Sequence, residues 1–329
     1  MPILSLIIPL YNTEKYIGEC LSSILDSFVD KADYEVIVID DGSTDGSGTI
    51  VQSYCENNSN IRLISQKNQG VGVARMNGVM EATGDYIWFV DSDDYIVEGA
   101  LSIILNTIRR YEDIDVFVTP MRLEFEDGRE GYTTHELNER YVISGKDLLK
   151  RKDFLLIGPP QFIIKRKLFK NKWLYFPKDA RYEDEYFARV LKYIGNNFLI
   201  LEEYLYVYRQ WSGSHMNSVQ VTRGNDVITI YKHLDRFANE VVSKEDQPWF
   251  RYNIVSFLFE SYTRNSYFFG TEEFKAFRKK NKSFIRSEWA KYQEYFPLKD
   301  QALANLLLAS PVVYVKLLDH YQVWKYKHQ

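Results

Sequence analysis

The sequence has few cysteines, no strong charge of one sign and no low-complexity segment, and each absence excludes a class of protein. Only Cys20 and Cys55 are cysteines among 329 residues, so a disulfide framework is excluded. Both lie in segments with helical periodicity, and we expect buried free thiols in a reducing compartment. The formal net charge of −4 argues against a polyanion-binding molecule as a whole, so no nucleic-acid partner is expected.

Long hydrophobic runs are also missing. A membrane-spanning helix needs roughly 18–20 apolar residues, and the nearest candidate, residues 302–315, is interrupted by Asn305 and Pro311. The apolar N-terminal residues 1–9 lack the basic residues of a secretory signal. We therefore expect a cytoplasmic location.

The charges are unevenly distributed along the chain. Residues 241–329 hold 14 Lys and Arg against 9 Asp and Glu, so the first 240 residues are acidic. A mildly basic C-terminal end suits a membrane surface or an anionic acceptor, which would make the protein peripheral on the inner face of the cell membrane.

The first hundred residues alternate between strand and helix patterns. Apolar, β-branched runs predict strands over 4–9, 34–39, 61–64 and 85–90, and residues with helical spacing separate them at 14–28, 45–57 and 72–82. Such β-α repeats predict an α/β fold with a parallel sheet and helices on both faces. Residues 113–215 mix short strands with a helix led by residues 181–185, and from about 216 the pattern is helical. We place a domain boundary near Ser218.

Polar clusters follow three of the predicted strands: residues 9–12, 40–43 and 91–94. Ligands of open α/β sheets bind beyond the carboxyl ends of the strands, so these clusters are expected to meet at one edge.

The pair Asp91 and Asp93 is a candidate metal site. Carboxylates are hard ligands suited to Mg²⁺ or Mn²⁺, and an ion held by two of them keeps positions free for diphosphate oxygens. Helix capping is the alternative, and Asp94 fits that role.

Two further polar side chains are candidates for the same edge. Asp41 follows the second strand, where its carboxylate can accept from a ribose hydroxyl or a base N–H, with turn formation as the alternative. Arg75, on the third helix, can pair with the acids or with a phosphate.

Four segments together resemble glycosyltransferase family 2 in order and spacing: residues 4–12, 38–45, 68–78 and 86–94. The resemblance implies a GT-A (Rossmann-like) fold, a UDP-sugar donor and inversion at the anomeric carbon. With the boundary near Ser218, we expect a catalytic domain over 1–218, with a nucleotide-binding half at 1–100 and an acceptor-binding half at 101–218. The helical C-terminal domain over 219–329 is not explained by the resemblance. The nucleotide-sugar site is expected to contain Pro9, Tyr11, Asn12, Asp41, Asn68, Arg75, Asp91 and Ser92.

The same resemblance assigns a catalytic residue in the second half. The segment 182–187 is similar to one whose Asp is the general base, which here is Asp184, with Glu183 as the alternative. A carboxylate is needed because an acceptor hydroxyl is a poor nucleophile until its proton is taken. Asp93 is the more direct ligand of Mn²⁺ or Mg²⁺, with Asp91 beside it. His215 is either a further ligand or an exposed loop residue, and Trp211 either stacks on a sugar or packs.

The sequence lacks the Gln-x-x-Arg-Trp segment of processive members, so transfer of a single sugar to a glycan or lipid-linked oligosaccharide is expected. Two other functions remain open: a nucleotidyltransferase acting on a sugar phosphate, and an inactive nucleotide-sugar-binding scaffold. In the C-terminal third, aromatic residues of 250–269 indicate a helical core, and a basic run over 275–286 is either a solvated face or a contact with anionic lipid or acceptor. Self-association is a further option there.

Overall fold

The computed structural model describes residues 1–25, 29–127, 129, 131–134, 140–151, 158–211, 223–266 and 271–311. The chain divides into two compact units, Met1–Lys178 with Glu183–Asn217 and Asp179–Tyr182 with Ser218–Gln329. The boundary predicted near Ser218 lies outside the described residues and stays a prediction.

The first unit begins with regular strand–helix alternation. The elements are β1 (Leu4–Leu10), α1 (Ile17–Leu25), β2 (Tyr34–Asp40), α2 (Ser47–Asn57), β3 (Ile61–Ser65), α3 (Val71–Glu81) and β4 (Tyr86–Phe89). Each matches an element predicted from periodicity to within a few residues, apart from α1, whose predicted end at residues 26–28 lies outside the described residues. β1 and β2 are rich in aliphatic residues and buried over nearly all of their length, which favours extended backbone in a sheet covered on both sides.

The remainder of the first unit contains two longer helices and several short elements: β5 (Tyr95–Ile96), α4 (Ala100–Arg110), β6 (Val116–Val118), β7 (Met121–Phe125), β8 (Tyr132–Thr133), β9 (Tyr141–Ser144), α5 (Gly145–Lys150), β10 (Phe162–Lys165), α6 (Glu183–Ile194), β11 (Asn197–Ile200) and β12 (Tyr206–Gln210).

Within the described residues the larger sheet has the strand order β3-β2-β1-β4-β10-β6-β11-β9. β1, β2, β3 and β4 are parallel, but β10 runs antiparallel to both β4 and β6. The α/β class and the parallel arrangement predicted for the first four strands are therefore confirmed, and the sheet becomes mixed beyond β4. A smaller sheet has the order β5-β12-β7-β8.

Both faces of the larger sheet are buried. Alternate residues of β1, including Leu6 and Ile8, join a core with α1 and α4. On the other face α3 lies so close that a Cβ on Gly78 would overlap the side chain of Ile7. This close approach holds α3, which carries Arg75, against the face of the sheet.

The second unit is helical where the structure describes it, with α7 (Arg223–Glu240), α8 (Gln247–Ser266), α9 (Glu272–Tyr292) and α10 (Leu298–Ala309). Phe250, Phe257 and Phe259 are buried, so the expected helical core is confirmed for these aromatic residues. None of the helices in the described part of the chain combines the length and apolarity that a bilayer crossing requires. Cys20 is buried and Cys55 half-buried, and both are free thiols, as expected.

Candidate active site

The three polar clusters meet at the carboxyl edge of the parallel strands. β1 and β2 end in register, with Leu10 opposite Asp40. Thr13, just beyond β1, donates from Oγ1 to Ser92 Oγ at 2.9 Å, which ties this turn to the segment after β4. The predicted convergence on one edge is therefore observed.

The turn after β1 depends on Asn12. Its φ of +51° is left-handed, a region that Asn tolerates better than most residues. Its Oδ1 accepts from the Thr44 amide at 2.8 Å, and its own amide donates to Ser43 Oγ at 3.2 Å. Tyr11 beside it is 48% exposed, whereas Pro9 is buried within the sheet.

Asp41 is buried, and its carboxylate organises the loop that leads into α3. Oδ1 accepts from Gln66 Nε2 at 2.7 Å and from the Gln69 amide at 2.8 Å, while Oδ2 accepts from the Gly70 amide at 2.8 Å. A carboxylate offers about four acceptor sites, so one remains for a ligand donor. Asn68, on the same loop, is exposed.

Gly42 allows this loop to approach the end of β2. Its φ is +77°, and a Cβ there would lie 3.1 Å from the Asn68 amide nitrogen. A side chain at this position would be strained in its backbone and would push the loop of Asn68 away from Asp41.

Arg75 joins two acidic segments that are far apart in sequence. Nη2 donates to Asp91 Oδ1 at 2.8 Å, and Nη1 lies 3.4 Å from Glu183 Oε1. The guanidinium is almost fully buried and lies over the ring of Phe176. The charges of Asp91 and Glu183 outweigh the effect of burial and raise the pKa of Arg75, which therefore stays charged.

Asp93 is held by a tryptophan. Trp211 Nε1 donates to Asp93 Oδ2 at 3.0 Å, and its ring packs on Tyr16 with centroids 5.1 Å apart. Burial, and then the charge of Asp91, raises the pKa of Asp93. Excess negative charge is thus concentrated at these two carboxylates.

Asp94 does not cap a helix, contrary to the role that its position suggested. Its Oδ2 accepts from the Tyr206 hydroxyl at 2.6 Å and its Oδ1 from the Arg209 amide at 2.8 Å. The residue before α4 is Gly99. Asp94 is buried, and its two bonds connect the segment of Asp91 and Asp93, here called the D-x-D segment, to β12. The chain continues from β12 to Trp211.

Asp91 and Asp93 fit a divalent cation by their chemistry. Both offer oxygen ligands, and a cation would neutralise the repulsion that raises the pKa of Asp93. Within the described residues no group of three acidic, His or Cys side chains could hold a metal ion. His215, the other predicted ligand, lies outside the described residues.

Asp184 lies in the first turn of α6, beside Glu183. Burial is the main cause that raises its pKa to about 7, and the charges of Glu183 and Glu185 add to it, while Arg75 opposes them. The amide of Glu185 donates to Asp184 Oδ1 at 2.9 Å. A carboxyl group with this pKa can exchange a proton near neutral pH, as a general base must.

Several contacts of the site escaped the sequence reasoning. Thr13 was detectable, because it directly follows the predicted turn residue Asn12. Phe176 and Gln66 carry no such signal, since only folding brings them against Arg75 and Asp41. Asp41 makes no direct contact with Asp91 or Asp93 in the described structure; the link between them is the 66–70 loop and α3.

Comparison with known proteins gives a consistent result. The model of the family described as glycosyl transferase family 2 matches residues 5–173. The uncharacterized glycosyltransferase EpsJ of Bacillus subtilis is 31% identical over 216 residues, which cover 64% of this chain and 62% of EpsJ. The matched part is thus less than two thirds of that relative.

Two solved structures extend the likeness to the fold. Staphylococcus aureus TarS 1-349 in complex with UDP-GlcNAc aligns with a TM-score of 0.60 and 24% identity, covering 81% of this chain and 83% of that one. The mannosyltransferase PcManGT of Pyrobaculum calidifontis, in complex with GDP-Man and Mn²⁺, aligns with a TM-score of 0.54 and 17% identity over 93% and 87% of the two chains. The GT-A architecture expected from the sequence is therefore confirmed.

Proposed function

The chain belongs to glycosyl transferase family 2, and we propose that it transfers a single sugar from a UDP-sugar to a hydroxyl group of a glycan or lipid-linked acceptor, with inversion at the anomeric carbon. The observation that carries this proposal is the Arg75 bridge, which joins Asp91 of the D-x-D segment to Glu183, the neighbour of Asp184. It connects a donor-binding segment to a carboxylate with a pKa of about 7.

Asp184 takes the proton of the acceptor hydroxyl as the new C1–O bond forms. Its raised pKa makes it a better proton acceptor than an exposed carboxylate, and it is still ionised in a large fraction of molecules at neutral pH. The attacking oxygen approaches C1 from the side opposite the departing UDP, so one displacement inverts the centre. Glu183 is a weaker candidate because it already pairs with Arg75.

Asp93 and Asp91 would hold the divalent cation, Mn²⁺ or Mg²⁺, which when bound supplies positive charge to the diphosphate leaving group. Trp211 fixes the orientation of Asp93 through its indole N–H. Arg75 fixes Asp91 from the opposite end of the segment, and its permanent charge also suits it to a phosphate oxygen.

The nucleotide is expected to lie along the edge formed by Pro9, Tyr11, Asn12, Asp41, Asn68 and Ser92. Exposed Tyr11 offers a ring face, and Asp41 retains an acceptor position for a base N–H. TarS has been solved with UDP-GlcNAc and PcManGT with GDP-Man. We favour uridine for this chain, because TarS, solved with UDP-GlcNAc, aligns better than PcManGT, solved with GDP-Man.

A donor screen tests the proposal. Thermal shift with UDP-Glc, UDP-Gal, UDP-GlcNAc and UDP-GalNAc in the presence of Mn²⁺ should single out one donor, and that donor should release UDP slowly with water as acceptor. Release of diphosphate instead would favour a nucleotidyltransferase. If a UDP-sugar binds but no UDP is released, with or without candidate acceptors, the protein is an inactive nucleotide-sugar-binding scaffold.

A further inference from the structure

The α9 helix carries a row of cations along one side. At about 100° per residue, Lys275, Arg278, Lys279, Lys282 and Arg286 fall within about 100° of one another. We refer to these five side chains as the basic face. It extends over 11 residue steps, or about 17 Å at 1.5 Å per residue.

Little in the described structure neutralises the basic face. Within the part of the chain that the structure describes, the one ion pair of these cations joins Lys275 to Glu272, at 2.6 Å. Partial burial and the charges of Arg278 and Arg286 lower the pKa of Lys282, which shows that the cations repel one another. A row of like charges that the fold does not pair is costly unless an external anion compensates it.

Two of the cations are already ordered. Arg286 Nη2 donates to the carbonyl of Leu308 and Arg278 Nη2 to that of Ala309, both at 3.3 Å, at the C-terminal end of α10. These bonds satisfy two backbone carbonyl groups that the C-terminal end of α10 leaves without a partner within the helix. They also hold the two guanidinium groups in place, so a ligand pays less to order them.

The buried apolar residues of α9 lie on the side of the helix next to the basic face, and they belong to the core of the second unit. Phe274, Phe277, Ile285 and Trp289 are buried there. The helix therefore cannot turn an apolar side into a lipid bilayer in the manner of an interfacial amphipathic helix. A narrow row of charge with no accessible apolar flank on the same helix suits a linear polymer better than a membrane.

We propose that the basic face binds a linear polyanionic glycan, a polymer with phosphate or carboxylate groups at regular intervals, which serves as the acceptor chain. The acceptor role rests on the proposed transferase function, but the binding of the polymer does not. Lys279 and Lys282, which form no ion pair with any described residue, and the pre-ordered Arg278 and Arg286 provide successive contacts along such a chain.

Polymer binding is measured by fluorescence polarisation with the full-length protein and labelled polyphosphate or labelled polygalacturonate, which distinguish phosphate from carboxylate. The test variant is the triple substitution Lys275→Gln, Lys279→Gln and Lys282→Gln, which leaves Arg278 and Arg286 and their bonds to α10 intact. The matched control is Lys244→Gln, Lys280→Gln and Lys299→Gln, which removes the same charge from exposed positions outside the basic face.

We expect the test variant to bind at least one of the two polymers about tenfold more weakly and the control variant to change by less than about twofold. The slope of log Kd against log salt should fall by about two in the test variant, since each lost phosphate contact removes about 0.7. Equal losses in the two variants, or no polymer binding by the wild type, would overturn the proposal. So would binding to phosphatidylglycerol vesicles in the absence of polymer binding.

Hydrolysis of the UDP-sugar, measured in the same three proteins, separates this inference from the proposed function. It should be unchanged in both triple variants, because none of the substituted lysines belongs to the catalytic or donor-binding set. Absence of hydrolysis in the wild type would count against the transferase function alone. The polarisation measurement would still show whether the basic face binds the polymer.

Discussion

Arg75 and Asp91 form an ion pair of 2.8 Å between α3 and the segment after β4, and the guanidinium that makes it is almost fully buried. The other end of the same guanidinium lies against Glu183, next to Asp184. One side chain thus connects the donor-binding edge of the sheet to the helix that bears the proposed base. Without the positive charge of Arg75, the carboxylates of Asp91 and Glu183 would repel one another.

Substitution of Arg75→Met should therefore destabilise the protein by about 3 kcal/mol or more, because two partly buried carboxylates lose their counter-charge. Arg75→Lys keeps the charge but cannot reach both acids, so we expect kcat to fall with a smaller change in KM. Urea unfolding and steady-state kinetics measure the two effects.

Arg62→Met is the matched control for Arg75. Arg62 pairs with Glu35 at 3.0 Å but is 43% exposed, so we expect a loss below about 1 kcal/mol and unchanged kinetics. If both arginine variants lose the same stability and keep the same kcat, Arg75 has no special role in the site.

Trp211→Phe should weaken Mn²⁺ binding in the presence of UDP by about five- to tenfold. Phenylalanine keeps the packing on Tyr16 but removes the N–H that orients Asp93. Titration calorimetry with and without Mn²⁺ separates this effect from UDP affinity. Trp249→Phe is the control, because Trp249 makes the same kind of bond to Asp246, at 2.9 Å, in the second unit; an equal effect in both variants would contradict the role of Trp211.

Asp93→Ala should abolish the metal dependence of UDP binding. The carboxylate is the expected direct ligand, and we do not expect the neighbouring Asp94 to replace it, because Asp94 is fully buried and is held by the Tyr206 hydroxyl and the Arg209 amide. Calorimetry of UDP with and without Mn²⁺ should show two equal affinities in this variant. A metal dependence like that of the wild type would remove Asp93 from the cation site.

The pKa of Asp184 predicts how stability depends on pH. Because its folded pKa of about 7 lies above the ordinary value of 3.8, the folded state binds the proton more tightly than the unfolded state. Its contribution to stability is therefore complete below about pH 4 and is lost as the pH rises towards 7. We expect Asp184→Asn to raise Tm relative to the wild type at pH 8 and to have little effect at pH 4; an increment that does not depend on pH would contradict the raised pKa.

The regular half of the fold was predictable because each of its elements buries its own periodic pattern. β1, α2 and β4 begin and end within two residues of the predicted bounds. The sequence did not predict β5, with two residues, or β9, whose side chains are alternately half-buried and exposed, since so short a pattern depends on pairing with distant strands. For the same reason the antiparallel insertion of β10 beside β4 could not be foreseen.

The candidate site divides in a similar way. Asp41, Asp91 and Asp93 were accessible to sequence reasoning because they follow strands directly. The pairing of Arg75 with an acid was accessible too, and it is observed at Asp91. The Arg75–Glu183 and Trp211–Asp93 contacts were not accessible, because they span 108 and 118 residues. The raised pKa of Asp184 was equally hidden, since it results mainly from burial.

The most direct test of the account compares wild-type and Asp184→Asn protein in two measurements on the same donor: the rate of UDP release in the presence of acceptor, and the Kd for UDP. We predict that the wild type releases UDP as sugar is transferred, and that the variant binds UDP with the same Kd but turns over about 10² times more slowly or worse. Wild-type turnover by Asp184→Asn would contradict the central claim.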